Sequence, residues 1–248
     1  MKLFLILLFF SISRWTYCQQ VDRDVFESTL GKEKAHAYAM LEDSFEEFLN
    51  LNYPNKHSLS EMVKCYLADI KNQNVNWTVN DSLNISTLDQ LEKSGLRKDI
   101  LLYNNESYKE RFDFGNYLNK DTSTVEIEIG EIDEDFEEVE EIPLTDRKVE
   151  KQFRKEELER RKIRDKFPKP NRNGLFYYAL VKAQSNNEEV KLYASLITKY
   201  GEGPSPSLIA GAFLENFSGN ELIKWENRLI IIVEIYLKSL IYNEIMKE

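Results

Sequence analysis

The stretch SGNELIKWENRLIIIVEIYLKSLIYNEIMKE, residues 218–248, decides the fold class. Ser218 and Glu221 stand at capping-box spacing, where each side chain satisfies an orphan amide of a helix's first turn. From there the pattern predicts one helix of about 25 residues. Leu222, Trp225, Leu229, Val233, Tyr236 and Leu240 form its main apolar stripe, and Ile231, Ile235 and Tyr242 lie on other sides. A helix that is apolar nearly all round is either a membrane span or the centre of a core. Glu234 and Lys238 fall in its middle, four residues apart, a placement that a membrane span hardly tolerates. The stretch therefore reads as the central helix of a protein core.

Upstream, further helices supply material to surround it. GLFYYALVKAQ (174–184) and EEVKLYASLITKY (188–200) each read as a helix, the second stopped by Gly201. Ser205 before Pro206 is an N-cap followed by proline at the first helical position. Nearer the N-terminus, residues before Leu30 read as charged and loose. A helix then carries Met40, Leu41, Phe45, Phe48 and Leu49 on one face, with Glu42, Asp43, Glu46 and Glu47 opposite, until Pro54 forbids continuation. Ser58 and Glu61 cap a second helix with Met62, Val63, Tyr66, Leu67 and Ile70 facing inward.

The Asn-rich stretch 72–86 reads as a long loop in which Val75, Trp77 and Val79 form a short extended piece. Ser86 and Asp89 then cap a third helix that ends at Gly95, and LRKDILLY (96–103) predicts another short helical turn. One echo stands out. YPNKHSLSEMVKCYLADI from Tyr53 and YGEGPSPSLIAGAFLENF from Tyr200 align without gaps, each a helix end, a turn and a capped helix with the same apolar face. Two unrelated helical hairpins would look alike in this way, so a duplication does not follow.

Between the helical parts the charge changes sign. Residues 126–146 hold 11 acids and no base, and residues 147–172 hold 12 bases and 5 acids. Val125, Ile127 and Ile129 alternate with glutamates as an edge strand would. Beyond Pro143 a charged helix runs to about Lys166, with Val149, Phe153, Ile163 and Phe167 as a narrow docking stripe that Glu156 and Arg160 interrupt. The two halves of this segment are each other's nearest countercharge, so high salt should loosen it.

The fold class expected is thus mainly α: two helical lobes packed together and joined by a charged, partly extended or disordered connector with a long charged helix. The expected boundaries are a signal peptide at 1–18, an N-terminal lobe at 19–120, the acidic-then-basic connector at 121–173 and a C-terminal lobe at 174–248.

The signal peptide is read from MKLFLILLFFSISRWTYCQQ (1–20), a short positive start and an apolar run too brief to span a bilayer. Thr16 and Cys18 are small enough to flank a cleavage site before Gln19; an uncleaved anchor and a lipidated Cys18 are the alternatives, the latter opposed by Tyr17. Cleavage leaves Cys65 without a partner, so the mature chain has no disulfide and holds itself by burial. Net charge is −10 and becomes more negative once Lys2 and Arg14 are removed, which disfavours nucleic acid and anionic lipid as partners.

Chemistry-bearing motifs are scarce. His36 and His57 are the only histidines, and with Glu33 and Glu61 they would make a metal site only by tertiary accident. Cys65 lies on an apolar helix face and reads as a buried, inert thiol. Asp133 and Asp135 have the alternate spacing of a calcium loop but lack its glycine and closing glutamate. Trp77 and Trp225 could stack on sugars, Trp77 being better placed because Trp225 is on the core stripe. Asn-x-Ser/Thr sequons stand at Asn76, Asn80, Asn84, Asn105 and Asn216, the first three marking a surface loop that a eukaryotic host would glycosylate. Asp81-Ser82-Leu83 resembles the short motif for serine-linked glycosylation in secreted Bacteroidota proteins. No nucleophile elbow, phosphate loop or dinucleotide fingerprint is present in the sequence.

The leader ending in CQQ resembles those of secreted flavobacterial proteins. The pieces FEEFLNLNYP (45–54), EKSGLRKDI (92–100), NGLFYYALVKA (173–183), YGEGPSPSLIAG (200–211) and RLIIIVEIY (228–236) are similar to helical exported proteins of Bacteroidota. That resemblance covers both helical parts but not the charged middle. It implies a bacterial envelope location and no particular activity.

The sequence assigns no catalytic, cofactor-binding or metal residue and implies no cofactor. Its first functional expectation is a secreted or periplasmic protein with a structural or protein-interaction role. A carboxylate-based hydrolase of envelope glycans is the second, marked by two facing carboxylates in a cleft, one buried. Calcium-dependent adhesion through the acidic segment is the third, and calorimetry with calcium tests it.

Overall fold

Helices dominate the computed structural model, which describes residues 23–77, 81–118, 155–156, 158–160, 162, 165–184, 188–201 and 203–247. The stretch read as a signal peptide and the acidic block, with Asp133 and Asp135, lie outside those residues, as do Asn80, Val79 and most of the segment expected as a charged helix. No described helix is long and apolar enough to cross a membrane.

Helix α1 (Arg23–Leu30) forms where loose chain was expected. Phe26 and Leu30, one turn apart, give it a face to bury. The Phe26 ring is fully buried, edge-on to Tyr38, Phe176 and Trp225 at 5.4, 5.5 and 5.1 Å. So short a helix has little stability alone and exists through that packing, which periodicity does not reveal. Gly31, at φ 81°, turns the chain into α2 (Lys32–Asn52). In α3 (Leu59–Asn72) the Ser58 hydroxyl accepts the Glu61 amide at 3.3 Å and the Glu61 carboxylate accepts the His57 amide at 3.1 Å.

Helix α4 (Asp81–Ser94) begins at Asp81, inside the stretch read as loop, and not at Ser86. Its polar face misled: Asn84 and Thr87 are turned into the interior, 3 % and 1 % exposed. Gly95, at φ 77°, links it to α5 (Leu96–Ile100). LRKDILLY is therefore not helical throughout. Leu101–Leu102 is a strand, β1, paired antiparallel with β2 (Lys169–Pro170), Leu101 opposite Pro170 and Leu102 opposite Lys169. The pairing partner is distant in sequence, so no local signal announces it. Asn171 reinforces the junction, its amide donating to Ile100 O at 2.8 Å and its side chain to Lys98 O at 2.7 Å.

Next come α6 (Leu175–Ala183), α7 (Glu188–Tyr200) and α8 (Pro206–Asn216). The Arg172 guanidinium donates to the carbonyls of Thr198 (2.8 Å) and Lys199, where a cation suits a helix C-terminus. The capping box at Ser218 and Glu221 forms, but it opens only the short α9 (Gly219–Leu222). Lys224 is extended, at ψ 143°, so the single long helix expected from 218 is broken there, and the Asn227 side chain spans the break to Glu221 O at 2.8 Å. The helix restarts as α10 (Trp225–Ile230), widens into a π-helix at Ile231–Leu237 and continues as α11 (Lys238–Lys247). Every residue of the π segment is buried. It is the centre of the core, as its all-round apolarity requires.

The fold is mainly α, with β1 and β2 as a minimal sheet. The stretches expected as separate lobes contribute to one continuous hydrophobic cluster, from Phe26, Tyr38 and Phe45 through Tyr177 and Phe213 to Tyr236. The two echo helices, α3 and α8, make the most extensive packing of any pair of described elements. Ala210, Gly211 and Ala212 let them approach, and Lys71 meets Glu215 at 3.4 Å across the seam. Of the expected docking stripe, Phe167 is described: its ring lies flat on Tyr242 of α11, 4.8 Å away and 11° from parallel.

Candidate functional site

Helix packing buries several charged side chains, and each has a partner inside the fold. Glu234, on the π segment, has no exposure; Tyr193 of α7 donates to its Oε1 at 2.7 Å and Lys238 pairs with its Oε2. Gly203 lies directly against this carboxylate, since a β-carbon there would stand 2.7 Å from Oε2. Burial, and then the charge of Glu234, push the Tyr193 hydroxyl well above the usual phenol range, so Tyr193 is a donor and not a base.

Asp99, 1 % exposed, accepts from Tyr108 at 2.5 Å. Lys34 stands 2.7 Å from its Oδ2 as a countercharge, out of hydrogen-bond alignment. The Tyr108 oxygen in turn accepts the Leu175 amide at 3.3 Å, tying α5 to α6. Glu42 lies between Arg23 (2.7 Å) and Arg228 (3.1 Å), and Arg228 also reaches Glu46 at 2.8 Å. Arg97 is buried among Glu92, Glu106 and the Leu101 carbonyl, 4.8 Å below the Tyr103 ring centre. Hydrogen bonding from Arg97 holds the Glu106 carboxyl down at about 2. A glycosidase acid needs an apolar or like-charged setting beside a second carboxylate. Glu42, Asp99 and Glu234 instead face cations.

One open feature among the described residues is a cavity of about 210 Å³ between the chain at Trp77, α4 and α11. Trp77, Asn84, Leu240, Asn243, Glu244, Met246 and Lys247 line it. Its inner wall is tied to the core through Tyr236, whose hydroxyl lies 2.9 Å from Ser44 Oγ and 3.3 Å from Asn84 Oδ1. Burial raises the Tyr236 hydroxyl to about 12.

The residues singled out in the sequence are scattered. His57 is exposed beside the α3 cap and His36 is exposed on α2; among the described residues no three His, Cys, Asp or Glu side chains converge as a metal site. Cys65 is free and half-buried, where a buried thiol was expected. Trp225 packs edge-on to Phe26 and Tyr38 in the core, whereas Trp77 reaches the cavity. Asn84 is not an exposed sequon but a buried helical residue; Asn76, Asn105 and Asn216 are exposed. Asn243 and Glu244 carried no signal in the sequence, because two polar residues near a helix end are ordinary surface. No family model, curated protein or solved structure matches the chain.

Proposed function

We propose that the protein is exported to a bacterial envelope and works there by binding, without turning over a substrate. One observation carries this reading. Three buried carboxylates, Glu42, Asp99 and Glu234, are engaged by internal cations, and the open cavity on α11 holds one carboxylate, Glu244, among an indole, two carboxamides and a methionine, without the second facing carboxylate that glycoside hydrolysis uses. The leader-like N-terminus, the acidic charge and the resemblance to exported Bacteroidota proteins support the location.

The test has two arms. The protein expressed in a flavobacterial host is fractionated and its N-terminus sequenced; recovery outside the cytoplasm, starting at Gln19, is expected, and recovery from the cytoplasm with an intact leader overturns the location. Purified protein is then incubated with envelope glycans. Binding without release of new reducing ends is expected, and catalytic release of them overturns the non-catalytic role.

A further inference from the structure

We infer that the cavity between Trp77 and α11 is a carbohydrate site that takes a single pyranose ring. This deepens the reading of the protein as a binding module and rests on it. Size comes first. At about 210 Å³ the cavity is below the roughly 300–1,000 Å³ of sites for drug-sized ligands, so it suits one ring. It is too small for a helical peptide, which needs anchors spread over two turns.

The aromatic wall comes next. The Trp77 indole lies nearly parallel to Phe48 (5.2 Å, 24°) and to Tyr236 (6.4 Å, 28°). Phe48 and Tyr236 are themselves only 5.2 Å apart, so they cover the same side of the indole. What they leave uncovered of Trp77 lines the cavity. A pyranose presents a face of C–H bonds, apolar and weakly positive, which suits the negative face of a π system.

The polar groups then select the ligand class. The Asn84 side chain is almost wholly buried, yet only one end of its carboxamide is used, by Tyr236; whichever way the amide is turned, its other end has no partner among the described residues. Asn243 donates to Ser239 O at 2.8 Å and keeps its carbonyl oxygen free. Glu244 gives one oxygen to Lys247 at 2.7 Å and keeps the other. An apolar ligand would leave the Asn84 amide unsatisfied, which is costly when buried. An anion would meet Glu244, and the nearby Lys247 is already paired. Vicinal hydroxyls both donate and accept, so a neutral sugar can serve a carboxamide and a carboxylate at once. Leu240 and the exposed Met246 supply the apolar wall for the remaining ring edge.

Saturation-transfer NMR on the full mature chain tests this, with glucose, galactose, mannose, N-acetylglucosamine and fucose as probes. Each is used at roughly 10 mM, which fills a site of ~1 mM dissociation constant about ten to one. Transfer to the protons of one ring face is expected for at least one sugar. Glu244→Ala and Asn243→Leu, both at the cavity and outside the core cluster, should each weaken it about tenfold or more while the helical circular dichroism is unchanged. No transfer from any sugar overturns the site, as does binding within twofold of the parent in both variants. If sugars fail but the protein still binds envelope glycans without cleaving them, the site falls and the binding role stands. If a bound oligosaccharide is cleaved, the site stands and the non-catalytic role falls.

Discussion

Tyr193 donates to Glu234 at 2.7 Å, joining α7 to the π segment through a carboxylate with no solvent exposure. Among the described residues that carboxylate's other partner is Lys238, one turn further on. Lys238→Met would strand a buried charge and should cost about 3–5 kcal/mol in urea unfolding. Replacing Glu234 and Lys238 together by Met should recover most of that loss, because the stranded charge then disappears with its partner. Equal losses in the single and double variants would show that the pair is not what matters there.

Acid should loosen the α4–α5 region through Glu106. Hydrogen bonding from Arg97 lowers its carboxyl from the ordinary 4.5 to about 2 on folding. The ionised group therefore adds stability above the unfolded value, and that contribution fades as pH falls from about 4.5 towards about 2. In Glu106→Gln the decline of melting temperature across this window should be shallower than in the parent. A parallel decline would remove Glu106 as its source.

Two glycines should respond oppositely to alanine. At Gly174 a β-carbon would stand 1.8 Å from the Asp99 carbonyl oxygen, so the α5–α6 junction must move apart, at a cost of about 3 kcal/mol or more. At Gly211 the nearest atom is the Lys71 stem at 3.8 Å, ordinary contact, and the residue sits inside α8. Gly211→Ala should stabilise by about 0.5–1 kcal/mol through helix propensity. Thermal melts of the two variants decide both.

Two buried tyrosines should differ as well. The Tyr66 hydroxyl has no hydrogen-bond partner among the described residues, so Tyr66→Phe should be neutral or stabilising. The Tyr236 hydroxyl joins Ser44 to Asn84, and Tyr236→Phe should cost about 1–3 kcal/mol. It should also weaken sugar binding by freeing the Asn84 carboxamide to turn. Chemical denaturation and the NMR titration read the two effects separately.

Much of the fold was legible because local chemistry writes it. Ser58, Ser218 and Pro206 mark helix starts, Pro54 and Gly201 mark stops, and the all-round apolarity of 225–242 marks the core centre. These signals act within a turn or two of chain. The Asn-rich stretch was misread for the same reason: Asn84 and Thr87 are polar, and only neighbours from α2 and the π segment make a buried place for them. Trp77 could be picked out as a candidate sugar platform, but Asn243 and Glu244 could not, since nothing near them in sequence distinguishes a lining residue from a solvated one.

By itself, then, the sequence determined that the chain is helical, where most helices begin and end, and that residues 218–248 supply the core. Tertiary structure alone decided that α1 exists, that Leu101–Leu102 leaves a helix to pair with Lys169–Pro170, that Glu234 is held by Tyr193, and that Trp77 and Asn84 meet α11 around a cavity. Those features depend on groups far apart in the chain, whose free energy of contact appears only once the core has closed.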